Sequence, residues 1–190
     1  MKEMKLLIIP GSIRKDSLNL RLSDVVLKQA AQLGHAATLL DPLTLDIPIL
    51  NQDASDQQLF PLPVSAARKA LLSHDAWIFI TPEYNGSIPG GLKNLIDWLS
   101  RPEKDQPVKN IFQMKPVAIM SASVSIYGGL RALLHLRQIL SILQADIIPY
   151  EKTLPKADEV FKTIEGINPH LAAIDKIIAT LAERSASKHS

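Results

Sequence analysis

The chain has 190 residues, 46% hydrophobic and 21% charged, with a net charge of +2 and no cysteine. That is enough chain for one well-filled core and short for two. The charge is too small and too scattered to argue for nucleic acid or a membrane surface, and the missing thiols exclude disulfides, thiol nucleophiles and thiolate metal sites. The apolar start at 4–9 is too short for a signal-peptide core and no run approaches a membrane span, so the expectation is a cytoplasmic protein. One domain is expected over 1–184, with a disordered tail over 185–190.

Residues 5–9 form an almost continuous apolar run without alternation, which predicts a strand buried on both faces and hence a parallel sheet covered by helices. A helix follows, with Leu22, Val26, Ala30 and Leu33 at helical spacing and Gly34 as its stop. Residues 36–40 read as a second strand. The connection 41–63 carries Pro42, Pro48, Pro61 and Pro63, which rule out regular helix over most of it, and so long an irregular connection often borders a site. A helix is predicted over 63–73 and a third apolar strand over 76–81, ending in the loop PEYNGSIPGG. The helix after it, 90–99, carries Leu92, Leu95, Ile96 and Leu99 on one face.

Beyond a polar connector at 101–115, a fourth strand at 116–120 runs into a third loop, SASVSIYGG, and an apolar helix over 130–143. Residues 146–148 begin a short fifth strand, and a last helix over 168–184 completes the chain. Alternating strands and helices predict an α/β fold: a three-layer sandwich whose five-stranded parallel sheet carries helices on both faces. In such sheets ligands bind beyond the carboxyl ends of the strands, where the strand order reverses. The loops at Gly11, Pro82 and Ser121 all lie at that end and are expected to share one crevice.

The stretch Pro10 to Asn19, PGSIRKDSLN, joins a buried strand to a helix start, where unpaired amides and the positive end of the helix dipole favour an anion. Ser12, Ser17 and Asn19 add hydroxyls and an amide, and Arg14 adds a guanidinium suited to a phosphate ester. Ordinary helix capping by the same residues is the competing reading, about evenly weighted. Neither the dinucleotide spacing G-x-G-x-x-G nor the triphosphate spacing G-x-x-x-x-G-K-[ST] is present, so the anion indicated is a monophosphate. In the second loop Pro82, Gly86, Pro89 and Gly90 shape the backbone, and Tyr84 and Asn85 either meet a flat ligand or pack. The five histidines are far apart and show no metal spacing, so no metal is expected.

The motifs G-S-x-R-x-x-S-x-N at 11–19, P-E-Y-N-G-S at 82–87 and G-x-L-K-N-x-x-D-W at 90–98 together resemble the NADPH-dependent FMN reductase family of flavodoxin-like fold. Quinone, chromate and azo-dye reductases are among its relatives. The resemblance covers roughly 5–148. It implies FMN phosphate on Ser12, Arg14, Ser17, Leu18 and Asn19, the isoalloxazine ring against Pro82, Glu83, Tyr84, Asn85 and Gly86, and a third contact at Ser121 and Ser123. It also implies ping-pong transfer from NADPH or NADH through FMN to a small-molecule electron acceptor, with no catalytic side chain, and a homodimer or homotetramer. Apolar surface on the helix with Trp98 adds to the oligomer expectation. Tyr127 is bulky for the third loop, and 51–63 and the stretch after Ile148 match nothing in the family pattern. A flavodoxin-type electron carrier would share the fold, although a pI near 8.8 argues against the acidic surface such carriers use. A non-catalytic flavin-binding redox regulator is the second alternative.

Overall fold

The computed structural model describes residues 3–53, 60–103, 110–163 and 165–187. Its sheet has five parallel strands in the order β2-β1-β3-β4-β5, formed by β1 (Lys5–Pro10), β2 (Ala36–Leu39), β3 (Ala76–Ile80), β4 (Pro116–Ala122) and β5 (Asp146–Leu154). The helices are α1 (Leu18–Gln32), α2 (Leu62–Leu72), α3 (Gly90–Leu99), α4 (Leu130–Ile142), α5 (Ala157–Val160) and α6 (Asn168–Ala186).

Successive residues of the three central strands point to opposite sides, and both sides are apolar, which is why these strands read as unbroken hydrophobic runs. Leu7, Ile9, Trp77, Phe79, Val117 and Ile119 pack with α2, α3 and α4. Leu6, Ile8, Ile78, Ile80, Ala118 and Met120 pack with α1 and α6. The order reverses between β1 and β3, so the crevice beyond their carboxyl ends lies between the loops following those two strands.

The differences from expectation have local causes. β4 continues through Ser121 and Ala122, both buried, so the third loop begins at Ser123. β5 runs on past Ile148 to Leu154 because it is an edge strand. Its pairing shifts between Val117 with Ile147 and Ile119 with Glu151, where Ala118 alone faces Ile148, Pro149 and Tyr150, and this bulge accommodates Pro149. The connector at 101–115 is less polar than its composition, since Ile111 and Phe112 are buried and Phe112 meets Trp77 edge-on at 5.6 Å. Of the stretch expected as a tail, Ser185 and Ala186 belong to α6, with Ser185 buried, and 188–190 lie outside the described residues.

Trp98 corrects a second expectation. It is 2% exposed, its ring lies 5.4 Å from that of Phe60, and its Nε1 donates to the Pro48 carbonyl at 2.9 Å. Asn94 adds bonds to the carbonyls of Ile47 and Pro48 and accepts from the Leu50 N–H at 2.8 Å. The N-x-x-D-W portion of the third motif thus fastens the proline-rich connector to α3, and Trp98 offers no surface to a second chain.

Candidate functional site

Gly11 brings the first two loops into contact. Its N–H donates to the Ile80 carbonyl at 2.8 Å, and a side chain there would run into Thr81, whose Cα lies 2.8 Å from a Cβ built on Gly11. Only glycine permits this approach. The chain then turns through Ser12 to Ser17 into α1. Ser12 Oγ accepts from the Arg14 N–H at 3.2 Å, and Ser17 Oγ, the N-cap, accepts from the Asn19 N–H at 3.2 Å. Both serines are buried, and both hydroxyls accept from backbone while their own protons have no acceptor among the described residues. The Leu18 N–H, at the first position of the helix, also has no acceptor among the described residues. Arg14 is exposed and free to turn toward this end of α1.

Asn19 departs from expectation. Its side chain is 2% exposed; Nδ2 donates to the Ala122 carbonyl at 2.9 Å and Oδ1 accepts from the Ala122 N–H at 2.8 Å. It therefore ties the start of α1 to the end of β4, and the backbone it satisfies is buried, so this amide braces the site from below.

The second loop is a tight hairpin. Tyr84 and Ser87 exchange two backbone hydrogen bonds of 2.8 and 3.0 Å across Asn85 and Gly86, whose φ values are 50° and 80°. Two positive φ angles are what a two-residue turn of this twist needs, and Asn-Gly is the pair that tolerates them best. Tyr84 is 52% exposed at the tip. Pro82 is half-buried at the base. Glu83 points sideways, accepting from the Arg131 N–H at 3.1 Å and pairing with the Arg131 guanidinium at 2.6 Å. Gly129 begins α4 in a left-handed conformation without a capping side chain of its own, so Glu83 supplies the negative charge that this helix end favours.

The third loop contributes less than expected. Ser121 is fully buried in β4 beneath Gly129, and its Oγ has no hydrogen-bond partner among the described residues. It does not face the crevice. Ser123 is half-buried, with its Oγ accepting from the Ser125 N–H at 3.2 Å and its carbonyl from the Ala157 N–H at 3.0 Å. Gly128 packs so closely on the backbone of Pro155 that the loop lies down on the end of β5. Tyr127 stands exposed, 5.3 Å from the Arg131 guanidinium.

Residues 4–159 match the family model described as NADPH-dependent FMN reductase. The chain belongs to that family. It is similar to a quinone reductase of Escherichia coli K12, 38% identical over 188 residues that cover 93% of this chain and 96% of that one. An NAD(P)H-dependent FMN reductase of Pseudomonas aeruginosa is 40% identical over 153 residues, 79% and 75% of the two chains. Among solved structures, a flavoenzyme NAD(P)H:(acceptor) oxidoreductase of Paracoccus denitrificans superposes with a TM-score of 0.77 at 27% identity, covering 95% of this chain and 98% of that one. The fold is therefore flavodoxin-like, and the cofactor pair of this FMN reductase is FMN with NAD(P)H.

The donor set at the head of α1 fits such a cofactor. Two buried hydroxyls with unused protons, an amide without an acceptor among the described residues and an exposed guanidinium are all donors, and the one acid within 11–19, Asp16, is exposed. Arg131 is the residue that sequence reasoning missed. It lies between Glu83 and Tyr127, and its only trace in the sequence is a basic residue just after the Gly128-Gly129 pair.

Proposed function

We propose that this FMN reductase uses Ser12, Arg14, Ser17 and the Leu18 N–H to hold the FMN phosphate, and the hairpin Pro82 to Gly86 to carry the isoalloxazine ring. The observation that carries the reading is the pair of buried hydroxyls with unused protons beside Gly11, a cradle too tight for any other residue at that position. The chemistry supplied by bound FMN is two-electron transfer from NAD(P)H to a quinone, in two half-reactions that share one face of the ring.

The chain's own part is placement and electrostatics. Its fixed positive-φ turn presents the amides of Asn85 and Gly86 rigidly, where they favour negative charge on the ring without reorganising. The Glu83–Arg131 pair holds the hairpin against α4, and the exposed rings of Tyr84 and Tyr127 rim the acceptor's entry. Asn19 and Ser121 belong to the supporting structure, and Ser123 acts through its turn. No side-chain acid or nucleophile is needed.

A quinone is the acceptor favoured by similarity to the Escherichia coli quinone reductase, with chromate and azo compounds as chemically related alternatives. Val124, Ile126, Tyr127 and Leu134 are 65%, 68%, 56% and 49% exposed around the same mouth, which supports a second copy of the chain covering it, in a homodimer or homotetramer. The cytoplasm, with its NAD(P)H supply, is the compartment this reading implies, and among the described residues no helix is long and apolar enough to cross a membrane.

The test is the visible spectrum of FMN-loaded, desalted protein under anaerobic conditions. Absorbance that bleaches with NADPH and returns with a quinone supports the cycle. Retained flavin that does not bleach indicates a carrier or regulator, and loss of flavin on desalting overturns the cradle.

A further inference from the structure

Outside the crevice, the structure has a second concavity of about 430 Å³ between α1 and the segment leading into α6. It shares no residue with the cradle at 11–19. Its volume lies within the range of small-molecule sites.

Three cations line it, Arg21 and Lys28 from α1 and Lys162 from the approach to α6. None of the three makes an ion pair among the described residues. A single acid, Asp24, lies on the same wall. Val25, Phe161 and Leu171 form an apolar floor and are all left half-buried. Asn168, the first residue of α6, closes one side, and that helix has neither a capping side chain nor an acid in its first turn, so its positive end adds to the same field.

We propose that this cavity binds a small carboxylate carried on an aromatic ring. The cations attract the acid group, and like-charge crowding around one exposed acid is relieved when an anion enters. The floor needs an apolar body: a bare phosphate would leave Val25 and Leu171 in water, while an uncharged hydrocarbon would forfeit the three cations. Phe161 offers a ring for an aromatic body to stack against. The site sits on α1, the helix whose first turn forms the flavin cradle, but on a different stretch of it.

The experiment is calorimetric titration of the FMN-loaded chain with 1-naphthoate. One site per chain is expected. The double substitution Lys28→Glu with Lys162→Glu should weaken it by about tenfold or more, the loss of charge-assisted contacts. Val25→Trp, which fills the floor without altering charge, should abolish it. Flavin retention and bleaching by NADPH should be unchanged in both variants, which separates this site from the crevice. No binding up to millimolar 1-naphthoate overturns the proposal. So does unchanged affinity in both variants, or displacement by excess quinone, which would place the ligand at the flavin mouth.

Discussion

The side chain of Asn19 and the backbone of Ala122, 103 positions apart, exchange two hydrogen bonds of 2.9 and 2.8 Å in the buried floor of the crevice. Removing the amide would strand a donor and an acceptor that water cannot reach. Asn19→Ala is therefore expected to lower stability by about 2–3 kcal/mol, measured as a shift in the urea midpoint. FMN affinity should fall only in step with the loosened loop. A strong loss of FMN with an unchanged midpoint would return Asn19 to the phosphate.

Arg14 is expected to behave in the opposite way. It is exposed and makes no ion pair among the described residues, so Arg14→Ala should leave the unfolding midpoint within about 0.5 kcal/mol of the parent. FMN dissociation should increase by roughly tenfold to a hundredfold, the worth of one charge-assisted contact to a phosphate. Fluorescence recovery of released FMN gives the constant.

Ser121 and Gly129 supply a paired test. Ser121 Oγ is buried without a partner among the described residues, so Ser121→Ala should be neutral or slightly stabilising and leave FMN binding intact. Gly129→Ala forces a side chain into Ser121 at a φ of 87°, and should cost about 2 kcal/mol or more. Thermal melts with flavin absorbance as the second readout distinguish the two.

Arg68 is 1% exposed in α2, and its guanidinium donates to the carbonyls of Leu99 and Arg101 at 3.1 and 3.2 Å, closing the end of α3. Burial lowers its pKa and the Glu103 carboxylate partly restores it. Arg68→Ala should cost about 3 kcal/mol, because two backbone acceptors lose a charged donor at once and Glu103 loses its cationic partner. Equilibrium unfolding in urea checks it.

Acid should destabilise the chain through His170. Burial, and secondarily the charge of Lys152, hold its folded-state pKa below the ordinary value of 6.5. The unfolded chain then takes up the proton first, so stability falls as pH drops below about 6.5 and stops falling once the folded form is protonated as well. His170→Gln should flatten that part of a stability profile recorded in urea between pH 7 and 5.

Much of the frame was legible because burial leaves a plain trace. β1, β3 and β4 are continuous apolar runs, and the convergence of the first two loops follows from their place in an alternating chain. The start of the fifth strand was legible but not its length, since it continues through Pro149 to Leu154, and sequence does not reveal which strand lies at an edge where a proline is tolerated. Polar residues were legible by type but not by direction. An asparagine at a helix start serves equally as a ligand donor or an internal brace, and Asn19 took the second role. Glu83 was legible as part of a motif, whereas its partner Arg131 is brought to it only by the packing of α4 beside the hairpin.

The bulge at Pro149 limits how copies of this chain can meet. A regular outer strand would offer an evenly spaced row of donors and acceptors to a neighbouring molecule. Here two extra residues break that spacing and Pro149 removes one donor, so β5 is a poor template for another strand. Growth of the sheet from chain to chain is disfavoured at this border, so of the two outer strands, β2 and β5, it is β2 that keeps an unbroken ladder edge.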